Sequence, residues 1–279
     1  MPTLLGPLVS TQWLADHLGA DDLVVLDASV VAWARPNGGT GYVSGHEQYL
    51  LDGHLPGAVF ADLIDELSDP EGRFPFTRPT ARRFAAAAGA LGVGNDSTVV
   101  VYDSGHGQWA ARVWWLFRAF GYDDVAVLDG GLTAWRAEQR VLELGHVEPV
   151  PRVFAPVERP ELWVDKSYVE GVLAGEHEAA LVSASPSADF ARRHIPGSAS
   201  APAARLVERE RRTYLDDAGL KGVLAPALGG RVVTYCGGGI AAASAALALT
   251  LLGERDVAVY DGSLAEWVAD PEAAVSSAA

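Results

Sequence analysis

The stretch "VVTYCGGGIAAASAALAL", residues 232–249, contains the chain's single cysteine, Cys236. A β-branched apolar run ends at the thiol, three glycines follow, and an alanine- and leucine-rich segment comes next. Short Val-rich runs suit strands buried on both faces of a parallel sheet. Alanine and leucine are strong helix formers. The stretch therefore reads as strand, tight loop and helix, the repeating unit of an α/β fold.

Two readings of the cysteine follow. It is a small buried hydrophobe at a strand end, or the loop exists to hold an anion against a thiolate. Gly237, Gly238 and Gly239 permit unusual backbone angles and close approach. In such a turn the amide N–H groups of Gly237, Gly238, Gly239, Ile240 and Ala241 can point to one centre, and the helix that starts near Ile240 adds positive potential at its N-terminus. An anion at that centre is stabilised without a basic side chain, and a thiolate beside it is favoured in the same way.

Working outward, the same pattern occurs twice. "GRVVTYCGGGIAAASAALALTLLGERDVAVYDGSLAEW" (residues 230–267) resembles "STVVVYDSGHGQWAARVWWLFRAFGYDDVAVLDGGLTAW" (residues 97–135). "DGHLPGAVFADL" (residues 52–63) likewise resembles "RRHIPGSASAPA" (residues 192–203). The pairs His54/His194, Asp103/Cys236, Asp129/Asp261 and Trp135/Trp267 have offsets of 140, 133, 132 and 132 residues. The strand–loop–helix–strand core was thus copied almost without length change, and the halves diverge in loops on one side. Strands are expected at residues 23–28, 98–103, 125–130, 180–184, 231–236 and 257–262, with helices between them. One helix is signalled by Pro79 and Thr80 at its start and Gly92 past its end. The reading is two tandem α/β domains, each a mainly parallel sheet covered by helices on both faces: residues 1–142 and 163–279. Residues 143–162, with four prolines and no helical period, read as an extended linker. Because Asp103 stands where the second half has its cysteine, only the second half is expected to be catalytic.

The 279-residue chain carries a net charge of −15, which argues against nucleic acid or an anionic membrane as a partner. No apolar run reaches the length of a membrane span. The N-terminal sequence lacks a basic leader and contains Asp16, so no secretory signal is expected. A lone cysteine makes no internal disulfide and suits a reducing cytoplasm. Neither a CxxC pair nor an HExxH is present, so no metal site is expected. His54 and His194, each before a Pro-Gly turn, are expected to bond the local backbone, and Asp129 and Asp261 to cap the helices that follow them. Trp114 and Trp115 are expected to be buried.

The motifs "HLPGA" (54–58), "HIPGS" (194–198), "AARVWWLFRAFG" (110–121), "VLDGGLTAW" (127–135), "YCGGGIAA" (235–242) and "VAVYDGSLAEW" (257–267) together resemble those of the two-domain rhodanese-type sulfurtransferases, over almost the whole chain. The resemblance implies that Cys236 takes sulfane sulfur from a small anionic donor, thiosulfate or 3-mercaptopyruvate, and passes it to a thiol or cyanide without cofactor or metal. In that family the cysteine opens a six-residue loop, here Cys236 to Ala241. Thiosulfate-preferring members usually have Arg and Lys after the cysteine, and mercaptopyruvate-preferring members usually read C-G-S-G-V-T. "CGGGIA" is more similar to the second, with Gly238 for Ser and Ala241 for Thr. Members often carry an Asp-x-Arg after the first strand of the second domain. Here "VSASPSADFARRHIPGS" (182–198) puts Ser183 and Ser185 there, leaving Arg192 and Arg193 as the nearest basic candidates for donor binding. Some mercaptopyruvate-type members have a first-domain histidine where "RFPFT" (73–77) places Phe76. The lost charges keep a non-enzymatic persulfide carrier or an inactive interaction module open as alternatives. A related phosphatase activity is disfavoured, because those loops are one residue longer and close with an arginine.

Overall fold

The structure, a computed structural model, describes residues 2–36 and 39–277. The chain forms two compact units, Met1–Pro70 with Arg78–Glu158 and Glu71–Thr77 with Arg159–Ala279. The short segment Glu71–Thr77 thus lies in the first half of the sequence but groups with the second unit.

The first unit runs β1 (Leu8–Val9), α1 (Thr11–His17), β2 (Leu23–Asp27), β3 (Val30–Ala34), β4 (Thr40–Ser44), α2 (His46–Asp52), β5 (Val59–Phe60), α3 (Ala81–Ala90), β6 (Thr98–Tyr102), α4 (Gln108–Ala119), β7 (Val125–Leu128) and α5 (Gly131–Ala137). The second runs β8 (Trp163–Val164), α6 (Lys166–Ala174), β9 (Ala180–Ser183), α7 (Ser187–Arg192), β10 (Ala199–Ser200), α8 (Asp217–Leu224), β11 (Val232–Tyr235), α9 (Ile240–Leu251), β12 (Val257–Tyr260) and α10 (Ser263–Trp267). The sheet orders are β5-β2-β6-β7-β1 and β10-β9-β11-β12-β8, with every pairing parallel. Strand for strand the two orders coincide, so the repeat read from sequence is a repeat of topology. The six expected strands are all present as β2, β6, β7, β9, β11 and β12.

The central strands show why. Every residue of β6 and β11 is buried, as a strand covered on both faces requires. Leu14, Val25, Val100 and Trp135 build the core of the first unit, and Val169, Leu181, Val233 and Trp267 that of the second. Helix α9 buries Ala242, Ala243, Ala245, Ala246 and Ala248, whose small side chains let it lie close to the sheet. Thr80 caps α3 by accepting the Arg83 amide at 3.3 Å, and Gly92 follows that helix at φ +83°. Trp114 and Trp115 are buried as expected.

The divergence between halves is also structural. The antiparallel hairpin β3–β4 lies between β2 and α2, and no such pair of strands occurs among the described residues of the second unit. Residues 143–158 run along the first unit: Arg152 N donates to Gly89 O and Val157 N to Phe120 O, both at 2.9 Å, while Phe154 packs on Phe84, Phe117 and Tyr122. The N-cap residues of α5 and α10 are Gly130 and Gly262, so Asp129 and Asp261 each stand one position before the cap. No helix among the described residues is long and apolar enough to cross a membrane.

Candidate active site

The first unit shows what the strand–loop–helix turn is built to hold. Asp103 follows β6 and is 1% exposed. Its Oδ1 accepts the amides of Gly105 (2.7 Å) and Gly107 (3.0 Å), and its Oδ2 those of Trp109 (2.9 Å) and Ala110 (3.0 Å). Gly107, at φ +79°, turns the chain into α4, and two of the four donors are first-turn amides that helix geometry leaves without partners. The loop is therefore an anion cradle, occupied by a carboxylate of its own chain.

Cys236 holds the same station after β11. The loop enters α9 through Gly239 at φ +82°, matching Gly107. The cysteine is 4% exposed, while Gly237 beside it is open to solvent. Leu264 N donates to Cys236 O and Ala265 N to Gly237 O, both at 2.9 Å, as Leu132 N donates to Asp103 O at 3.1 Å in the first unit. The start of α10 thus grips the loop's carbonyls. The difference at this position is chemical: where the first unit has a carboxylate, the second has a thiol.

Gly237, Gly238, Gly239, Ile240 and Ala241 form the loop and the first turn of α9. Pro75 O of the segment Glu71–Thr77 lies 3.7 Å from where a Cβ on Gly238 would stand, so "RFPFT" does flank the loop, with Phe76 at φ +60°. Arg192 ends α7, is 78% exposed and is paired with Asp189; Arg193 follows it and is exposed. Ser183 is buried and joined to the Tyr235 hydroxyl, which also takes the Ile195 amide at 3.0 Å and donates to Ser198 Oγ at 2.9 Å. Burial raises the Tyr235 phenol. Asp27 holds the equivalent place in the first unit, bonded to the Tyr102 hydroxyl, and burial raises its carboxyl above the ordinary value. His54 Nδ1 meets Leu55 O and His194 Nδ1 meets Phe190 O, each at 2.8 Å, so both histidines bond local backbone as expected.

The rhodanese-like domain model matches residues 10–138 and 169–270. The chain belongs to the rhodanese family. Its relatives include the 3-mercaptopyruvate sulfurtransferase of Escherichia coli, 34% identical with 93% of this chain and 94% of that protein covered. The thiosulfate sulfurtransferase of Cricetulus griseus is 33% identical with 98% and 96% covered. The crystal structure of SseA, the E. coli 3-mercaptopyruvate sulfurtransferase, matches with a TM-score of 0.82 at 32% identity, covering 92% of this chain and 98% of that one. Like these rhodanese-family relatives, the chain is a sulfurtransferase with two rhodanese-like domains.

One residue beside the rhodanese loop was missed from sequence. The Cys236 amide donates to Ser263 Oγ at 3.2 Å, and Ser263 is fully buried. A signal existed: in the aligned repeats, Gly131 of "DGG" becomes Ser263 of "DGS".

Proposed function

We propose that this sulfurtransferase works through a persulfide on Cys236. The thiolate attacks the outer sulfur of the donor. With thiosulfate the S–S bond breaks and sulfite leaves with its electron pair; with 3-mercaptopyruvate the C–S bond breaks and pyruvate leaves after taking a proton. A second nucleophile, a thiol or cyanide, then attacks the outer sulfur of the persulfide, and Cys236 thiolate is regenerated. This is two-step covalent catalysis, with the loop amides of Gly237 to Ala241 supplying electrostatic stabilisation. The observation that carries the reading is the cradle around Asp103: four amides converge on an anion at the station that Cys236 occupies in the second half. The first domain, with a carboxylate there, is non-catalytic. A single cysteine suits a reducing cytoplasm.

The preferred donor is 3-mercaptopyruvate. "CGGGIA" has no basic side chain to neutralise the thiosulfate dianion. Helix and loop amides supply only about half a positive charge. Mercaptopyruvate carries one carboxylate and asks less of the site, with Arg192 and Arg193, the basic residues that follow Ser183 and Ser185 in the sequence, as its candidate partners. The test is a steady-state comparison of the two donors with one acceptor. A higher kcat/KM for 3-mercaptopyruvate is expected, and a clear thiosulfate preference refutes the assignment.

A further inference from the structure

The two units differ at one turn beside the loop. In the first, α5 opens with Gly131 at φ +50°, where a Cβ would stand 2.5 Å from the Asp103 carbonyl oxygen. In the second, α10 opens with Ser263, which keeps the left-handed backbone at φ +51°. Glycine adopts this conformation freely, and serine does so only under strain. The half that bears the thiol thus places a side chain where backbone geometry favours none, and such strain persists only where surrounding contacts hold it.

Those contacts are specific. The Ser263 hydroxyl is fully buried, accepts the Cys236 amide at 3.2 Å and donates to Tyr260 O at 2.8 Å. The next residue, Leu264, donates its amide to Cys236 O at 2.9 Å. The backbone N–H and C=O of the cysteine are therefore both gripped by the first two residues of α10. The Ser263 side chain has no exposed surface with which to meet a donor, so its action on the reaction runs through Cys236.

We propose that Ser263 is a positioning residue for Cys236: its hydroxyl ties the cysteine's amide to the end of β12 and so fixes the direction in which the Cα–Cβ bond carries sulfur. The inference rests on the reading of Cys236 as the nucleophile. It explains why one turn is glycine in the half without a thiol and a strained serine in the half with one.

Three variants separate positioning from stability. S263G relieves the left-handed strain and removes the hydroxyl. It is expected to melt close to wild type yet lose on the order of tenfold in kcat, with donor KM little changed, because a misplaced nucleophile slows the chemical step rather than binding. S263A keeps the strain without the hydroxyl and is expected to fall in both melting temperature and kcat. S263T returns the hydroxyl on a β-branched residue that tolerates positive φ poorly, so it is expected to melt lower than S263G yet recover kcat towards wild type. Wild-type kcat in S263G, or kcat that follows melting temperature across the three variants, overturns the proposal. C236S is measured beside them. Turnover surviving in C236S refutes the nucleophile reading, whereas an inactive C236S together with a wild-type S263G refutes the role of Ser263 alone.

Discussion

Replacing Asp103 with asparagine tests the cradle where it is fully described. The amides of Gly105 and Gly107 bond Oδ1 and those of Trp109 and Ala110 bond Oδ2, all in a site that is 1% exposed. Asparagine keeps one carbonyl oxygen and turns the other position into a donor, so two amides lose their acceptor and face N–H groups. A hydrogen bond to a charged group contributes about 1.5–3 kcal/mol. Two such losses cost about 3–6 kcal/mol, and relaxation of the exposed loop tip at Ser104 favours the lower figure. For a domain of this size each kcal/mol moves the melting temperature by about 2–4 °C, so the transition of the first unit should fall by about 6–12 °C. Turnover at a temperature where the variant is folded should stay within about twofold of wild type, since Asp103 and Cys236, the proposed nucleophile, lie in different units. Scanning calorimetry with parallel activity assays measures both. Asp103→Ala adds a control: sulfate should raise its melting temperature more than that of wild type, because an emptied cradle takes a free anion. A melting temperature within about 2 °C of wild type for Asp103→Asn would refute the cradle argument. Lost turnover with unchanged melting would show that the first unit takes part in the reaction.

Asp27→Asn is expected to raise the melting temperature at pH 7–8. Burial raises the folded-state pKa of Asp27 above 3.8, so its stability contribution is complete below that value and is lost as pH rises through the folded value. The advantage of the variant should therefore shrink towards pH 4, and a pH-independent difference would contradict the assignment. Arg192→Ala or Arg193→Ala is expected to raise KM for 3-mercaptopyruvate roughly tenfold if its charge-assisted bond to the carboxylate forms; unchanged KM in both variants would show that the pair is a solvated loop end.

Much of the fold was legible because the central strands are short Val-rich runs covered on both faces, a pattern that needs no tertiary information. The runs that became β6 and β11 are buried at every position. The two-residue edge strands β1, β5, β8 and β10 carry no period to detect. The hairpin β3–β4 escaped because "VVAWA" and "TGYVS" lie partly exposed and lack the alternation of a half-buried strand. Cys236 and its glycines were legible as a candidate site because a turn that needs unusual backbone, as at Gly239 with φ +82°, is written in residue types. The segment Glu71–Thr77 was not assigned to the second unit, since no local pattern says which unit a loop joins. Ser263 was legible only as a mismatch between repeats, and its meaning needed the backbone angle that the sequence does not contain.

The central claim, that sulfur passes through Cys236, is tested most directly by intact-protein mass spectrometry after incubation with a donor and removal of the excess. Wild type is expected to gain the mass of one sulfur atom, located by peptide mapping to Cys236 and lost on adding cyanide, while Cys236→Ser gains nothing. A sulfur adduct that persists in Cys236→Ser, or its absence from wild type that turns over, would contradict the account.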